Sequence, residues 1–124
     1  MRFPILAILA LGVISAPAFA DGDAALGEQV FKKCAACHSI NDNANRVGPS
    51  LLGVVGRKPA SVEGFPYSDS MRTFARTSAV WDEKTLDTYL ANPRATVPTT
   101  KMSFPGLKDQ ADRENLIAFL KSKM

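Results

Sequence analysis

The sequence predicts an all-α domain of about three to five helices joined by long loops. Apolar residues recur at helical spacing in three capped stretches. No run alternates with the period of two that a strand ladder requires. The connecting segments are rich in Gly and Pro and longer than compact domains ordinarily use.

In chain order, the first helix spans Ala24 to Lys33 behind an Asp23 N-cap, with Leu26, Val30 and Phe31 on its inner face. Gly27 lies inside it at a cost of about 1 kcal/mol relative to alanine. It signals either a close crossing with the last helix near Leu116 and Phe119 or simple surface tolerance. The segment Ser68 to Ala75 can form a short helix that turns Met71 and Phe74 inward as core filler. Trp81 to Ala91 follows, with Asp82 and Glu83 near its start, Leu86, Tyr89 and Leu90 as its inner stripe, and Asn92-Pro93 as its stop. Asp109 to Lys123 closes the chain, with Leu116, Ile117, Phe119 and Leu120 inward and lysines at its end.

The first twenty residues read as a segment to be removed. Arg2 gives a positive start, Ile5 to Ile14 an apolar run, and Ala18-Phe19-Ala20 the small-x-small pattern of a secretory cleavage site. The run is shorter than the roughly 20 apolar residues of a spanning helix and is flanked by Pro4 and Pro17. Residues 1–20 are therefore expected to be a signal peptide and residues 21–124 one exported domain, in the periplasm, with no membrane anchor. The charge of +3 over 124 residues, less Arg2, is too mild for a nucleic-acid-binding surface.

Two cysteines in an exported chain would ordinarily be read as a disulfide. Here they are Cys34 and Cys37, and His38, the only histidine, follows them directly. Cys-x-x-Cys-His is the attachment pattern for c-type haem. Thiols one helical turn apart can each add to a vinyl group at one porphyrin edge, and the adjoining imidazole then meets the iron intramolecularly. A thioredoxin-like dithiol wants a βαβ setting that is not visible here. Structural zinc needs four ligands, where this chain has three Cys and His together. One covalent haem c is the expected cofactor, and the long loops make sense as its walls.

With a single histidine, the sixth iron position falls to Met, Lys, an amine, water or nothing. Met1 leaves with the leader, Met124 is terminal and Met71 suits the core, whereas Met102 lies in the stiff loop Val97 to Gly106 between two helical patterns. Elimination favours Met102 and leaves an open or non-Met position as the alternative. An open position would suit a peroxidase-like enzyme or a gas-binding module; a filled one suits an electron carrier.

These residues sit in a wider pattern: Gly27 and Phe31, Cys34 to His38, Gly48-Pro49-Ser50-Leu51, Gly56-Arg57, Tyr67-Ser68-Asp69, Trp81, Tyr89-Leu90, Asn92-Pro93, Thr100-Lys101-Met102, Phe104, Gly106, and Leu116 to Leu120. Over residues 21–124 the chain resembles the class I c-type cytochromes, in particular the bacterial cytochrome c2 and c-550 types, and is similar to mitochondrial cytochrome c. The resemblance implies the small cytochrome c fold wrapped around one haem, with iron between His38 and Met102 and no catalytic residue. It implies that Pro49 accepts from His38, that Arg57, Tyr67 and Trp81 donate to a buried propionate, that Tyr89 and Thr100 line the methionine side, and that Leu51, Leu90 and Phe104 exclude water. It further implies a monomeric carrier that docks redox partners, membrane complexes among them, at Lys33, Arg94, Lys101 and Lys108. Phe119 departs from the family's usual tyrosine, Met71 from a common asparagine, and the stretch Met71 to Trp81 is slightly long.

Overall fold

The computed structural model describes residues 21–77 and 79–124, together with 1 and 11–13. The rest of the leader expected over residues 1–20 lies outside the described residues. Five helices run in the order α1 (Ala24–Phe31), α2 (Asp69–Ala75), α3 (Glu83–Ala91), α4 (Pro93–Thr96) and α5 (Gln110–Lys121). There is no strand among the described residues, and no helix there is long and apolar enough to cross a membrane.

Four of the five helices start where a short polar side chain takes up free amides; α4 has no such cap. Asp23 accepts from the Ala25 and Leu26 N–H groups, Ser68 from Met71, Asp82 from Thr85 and Asp109 from Ala111. The expected third helix therefore begins two residues late. Asp82 caps it, and the Trp81 backbone is taken up elsewhere: its N–H donates to Arg57 O at 2.9 Å and its carbonyl accepts from Gly56 N at 2.8 Å. Asn92-Pro93 ends α3 as expected, but Pro93 also opens the unforeseen α4, where its missing N–H costs nothing.

The frame is α1 crossed on α5, with α3 packed against α5 and α4 against α3. Gly27 allows that crossing, since a Cβ there would stand 2.7 Å from Phe119 Cβ and closer still to the Asn115 carbonyl. Phe31 and Phe119 complete the contact with ring centroids 5.4 Å apart. The inner face of α1 is thus Gly27, Val30 and Phe31. Leu26, expected inward, lies one position off that stripe and is 55 % exposed. Arg113 of α5 bonds Asp87 of α3 at 2.7 Å and also donates to the Leu107 and Lys108 carbonyls, fixing the chain's entry into the last helix. Leu86, Tyr89 and Leu90 of α3 and Leu116, Ile117, Phe119 and Leu120 of α5 are all buried, as their periodicity predicts.

Candidate functional site

Beyond Phe31 the chain keeps a helical course while its hydrogen bonds tighten. Cys34 N–H donates to Phe31 O at 2.7 Å, and the Cys37 and His38 N–H groups both donate to Cys34 O at 3.1 and 3.0 Å. Helical bonding thus continues past the predicted end at Lys33, and it places both thiols and the imidazole along one turn.

His38 is oriented by the segment opposite. Its Nδ1 lies 2.7 Å from Pro49 O. A carbonyl only accepts, so Nδ1 carries the proton and Nε2 keeps a free lone pair, the form that binds a metal. Burial pushes the His38 pKa down, the Pro49 bond opposing, so the neutral imidazole is favoured. Gly48 makes the approach possible: a Cβ there would stand 2.7 Å from Nδ1.

Turn and segment together form one wall of a cavity of about 410 Å³. Every residue singled out as a site residue lines it: Cys34, Cys37 and His38; Pro49, Leu51 and Arg57; Tyr67 and Trp81; Tyr89, Thr100, Met102 and Phe104. A smaller hollow of about 220 Å³ between Asp21 and α5 shares none of them.

Met102 comes from the loop between α4 and α5, and that loop is held at several points. Thr100 Oγ1 accepts from the Met102 N–H at 3.2 Å, and Tyr89 Oη points at the sulfur from 4.0 Å. Burial drives the Tyr89 hydroxyl up to about 12, against a hydrogen bond with Thr100. Thr99 adopts φ +57°, an unusual conformation for a β-branched residue. Lys101 Nζ donates to Pro66 O at 2.9 Å, tying the loop to the facing segment. Met71, from α2, reaches the same cavity and packs against the core.

Three polar groups face the cavity with donors to spare. Arg57 is partly buried and hydrogen-bonds the Ser50 and Leu52 carbonyls, with no carboxylate partner among the described residues. Burial lowers its pKa from the ordinary value. Tyr67 Oη accepts from the Val62 N–H, which leaves its own proton to give. Trp81 packs between Phe74 and Tyr89 in tilted contacts, centroids 5.5 and 4.9 Å away.

The donor set fits a covalently bound haem c: two free thiols, an imidazole with Nε2 available, a thioether, an apolar cavity and spare donors for anionic groups. Burial pushes the Cys34 thiol up to about 11, opposite in direction to the lowered thiol pKa on which dithiol redox pairs depend. Of the expected docking residues, Lys33 and Lys101 border the cavity; Arg94 and Lys108 are exposed elsewhere on the surface. Lys58 and Phe65 also line it and were not anticipated, since nothing in their local sequence marks them.

Comparison with known proteins agrees with this geometry. Residues 24–123 match the family described as Cytochrome c. The chain is 53 % identical over 109 residues to cytochrome c2 of Rhodomicrobium vannielii, covering 87 % of this chain and 85 % of that one. It is 51 % identical over 100 residues to cytochrome c2 of Rhodoblastus acidophilus, covering 80 % and 91 %. The structure of cytochrome cH from Methylobacterium extorquens superimposes with a TM-score of 0.75 at 43 % identity, over 82 % of this chain and 100 % of that one. The chain belongs to the cytochrome c family and is an electron carrier with a covalently attached haem c rather than an enzyme.

Proposed function

We propose that residues 21–124 form a periplasmic one-electron shuttle, released from a leader spanning residues 1–20. It takes electrons from a quinol-oxidising complex or a dehydrogenase and passes them to a reaction centre, an oxidase or a reductase. The observation that carries the reading is the convergence of Cys34, Cys37, His38 and Met102 on one largely apolar cavity. Haem c, when bound, supplies a reversible one-electron couple.

The protein's own residues do the rest. Cys34 and Cys37 anchor the group through thioethers, and His38 presents Nε2 with its ring fixed by Pro49 O. Met102 offers a thioether that favours the reduced metal and fills the position a small ligand would need. Arg57, Tyr67 and Trp81 donate to the group's carboxylates, which are costly to bury unpartnered. Leu51, Leu90 and Phe104 keep water out, so little solvent reorganises when the charge changes. Lys33 and Lys101 at the cavity's border form a basic rim, and exposed Arg94 and Lys108 add to the charge for weak, fast docking on acidic partner surfaces.

The test is spectroscopic and potentiometric. Ferric holoprotein should show the long-wavelength charge-transfer band of a methionine–iron bond and titrate reversibly with one electron. Rapid carbon monoxide binding by the reduced wild type would replace this reading with a gas-binding one. A rate of electron delivery independent of ionic strength would remove the basic rim.

A further inference from the structure

The turn that carries both cysteines leaves two carbonyls over. The Cys37 and His38 amides return to Cys34 O and the Ala35 amide to Phe31 O, and no backbone N–H among the described residues bonds Ala35 O or Ala36 O. Both are taken by one side chain from across the loop. Arg46 Nη1 donates to Ala35 O at 2.8 Å, and Nη2 donates to Ala36 O at 3.1 Å. The backbone on either side of that fork folds back on the same turn. Arg46 N–H donates to Gly48 O at 2.9 Å, Gly48 N–H to Cys37 O at 2.9 Å, and Pro49 O takes the His38 proton. Ala35 and Ala36 are exposed, so water could satisfy their carbonyls. The fork is therefore not needed to rescue buried polar groups. What it does that water cannot is hold a guanidinium, charged at every attainable pH, in a fixed place.

We propose that Arg46 is a positioning residue for electron transfer, a permanent positive charge pinned against the Cys34–His38 turn that biases the site toward its reduced state. The proposal rests on the one-electron reading above. Reduction brings one electron from a protein partner and removes one unit of positive charge from the site; no atom or proton moves and no bond is broken. A fixed cation nearby disfavours the more positive state, so it favours acceptance of the electron. Arg46 is itself exposed, so its effect is open to screening by salt.

The experiment compares holoprotein carrying Arg46→Gln, Arg46→Lys or Arg46→Glu with the wild type, poised against a fixed redox mediator at low and high ionic strength. Arg46→Gln should lower the reduced-to-oxidised ratio several-fold at low salt, tenfold corresponding to about 59 mV for a one-electron couple. Arg46→Glu should move it further the same way, and high salt should narrow both gaps. Arg46→Lys keeps the charge but not the planar fork and should fall between wild type and Arg46→Gln. Thermal midpoints should change little; a merely structural role for Arg46 would instead lower the midpoint and leave no salt-dependent gap in the ratio. Coincidence of Arg46→Gln and wild type at low salt overturns the proposal, as does an Arg46→Lys protein displaced as far as Arg46→Gln. A wild type with no reversible one-electron couple would instead refute the carrier reading itself.

Discussion

Met71 and Met102 face the same cavity, but they reach it from different kinds of chain. Met71 stands on a capped helix and packs against the core; Met102 hangs from a loop fixed by Thr100, Lys101 and the unusual turn at Thr99. Met102→Ala should therefore lower the midpoint potential on the order of 0.1 V or more, within the roughly 0.8 V that axial ligands command. Its reduced form should bind carbon monoxide. Met71→Leu should do neither, and potentiometry with carbon monoxide titration of both variants checks the assignment. The residues around Cys34, Cys37 and His38 were legible in the sequence because their chemistry is local, set by one helical turn. Arg46 and the tether made by Lys101 were not: the first reaches carbonyls 11 and 10 positions away, the second a carbonyl 35 positions away. A basic residue in a loop carries no local sign of such a partner.

Among the elements, periodicity identified α3 and α5 and their buried faces, because each is long enough to show a stripe. It misplaced Leu26 because in α1 the contact is made by a residue without a side chain. Gly27→Ala should cost about 1–3 kcal/mol, as overpacking does, since backbone at Asn115 cannot yield as a flexible side chain would. Leu26→Gln, one residue away and exposed, should stay within about 0.5 kcal/mol of wild type. Denaturant midpoints of the two variants measure the contrast. The start of α3 makes a pH prediction. Asp82 has its pKa lowered by accepting the Thr85 backbone N–H and the Thr85 side-chain bond. A carboxylate depressed in the folded state contributes stability above its unfolded pKa and loses it as pH falls through the folded value. Asp82→Ala should thus cost about 1 kcal/mol near neutrality, and the gap from wild type should shrink below about pH 4. Thermal melts across that range would show it. Helix α4 escaped prediction because four residues are too few to display a period, and Asn92-Pro93 carries the same signal for a stop as for a start.

For the whole molecule, a cavity of about 410 Å³ decides the energetics. Its walls are largely apolar, and leaving them to water forfeits burial that a domain this small depends on. Changing Cys34 and Cys37 together to Ala should therefore give a chain without cooperative thermal unfolding; native helical circular dichroism in that variant would contradict it. The all-α class was legible because nothing in the sequence alternates, and the Cys34–His38 pattern made the long loops intelligible as walls of a cofactor site. Their paths were not, since a loop shaped around a group encodes that group's outline rather than a period of its own. The crossing of α1 on α5 has one more consequence. Asp21 and Lys121 border one small hollow, so residue 21 lies beside the end of α5. A short Gly-Ser linker from Met124 to Asp21, with new termini opened at the exposed turn Glu63-Gly64, should give a circular permutant that keeps the cavity. In it the most distant pairing along the chain becomes a local hairpin of helices. The holoprotein should then refold faster than wild type in stopped-flow measurements, because less chain must be closed before α1 and α5 meet.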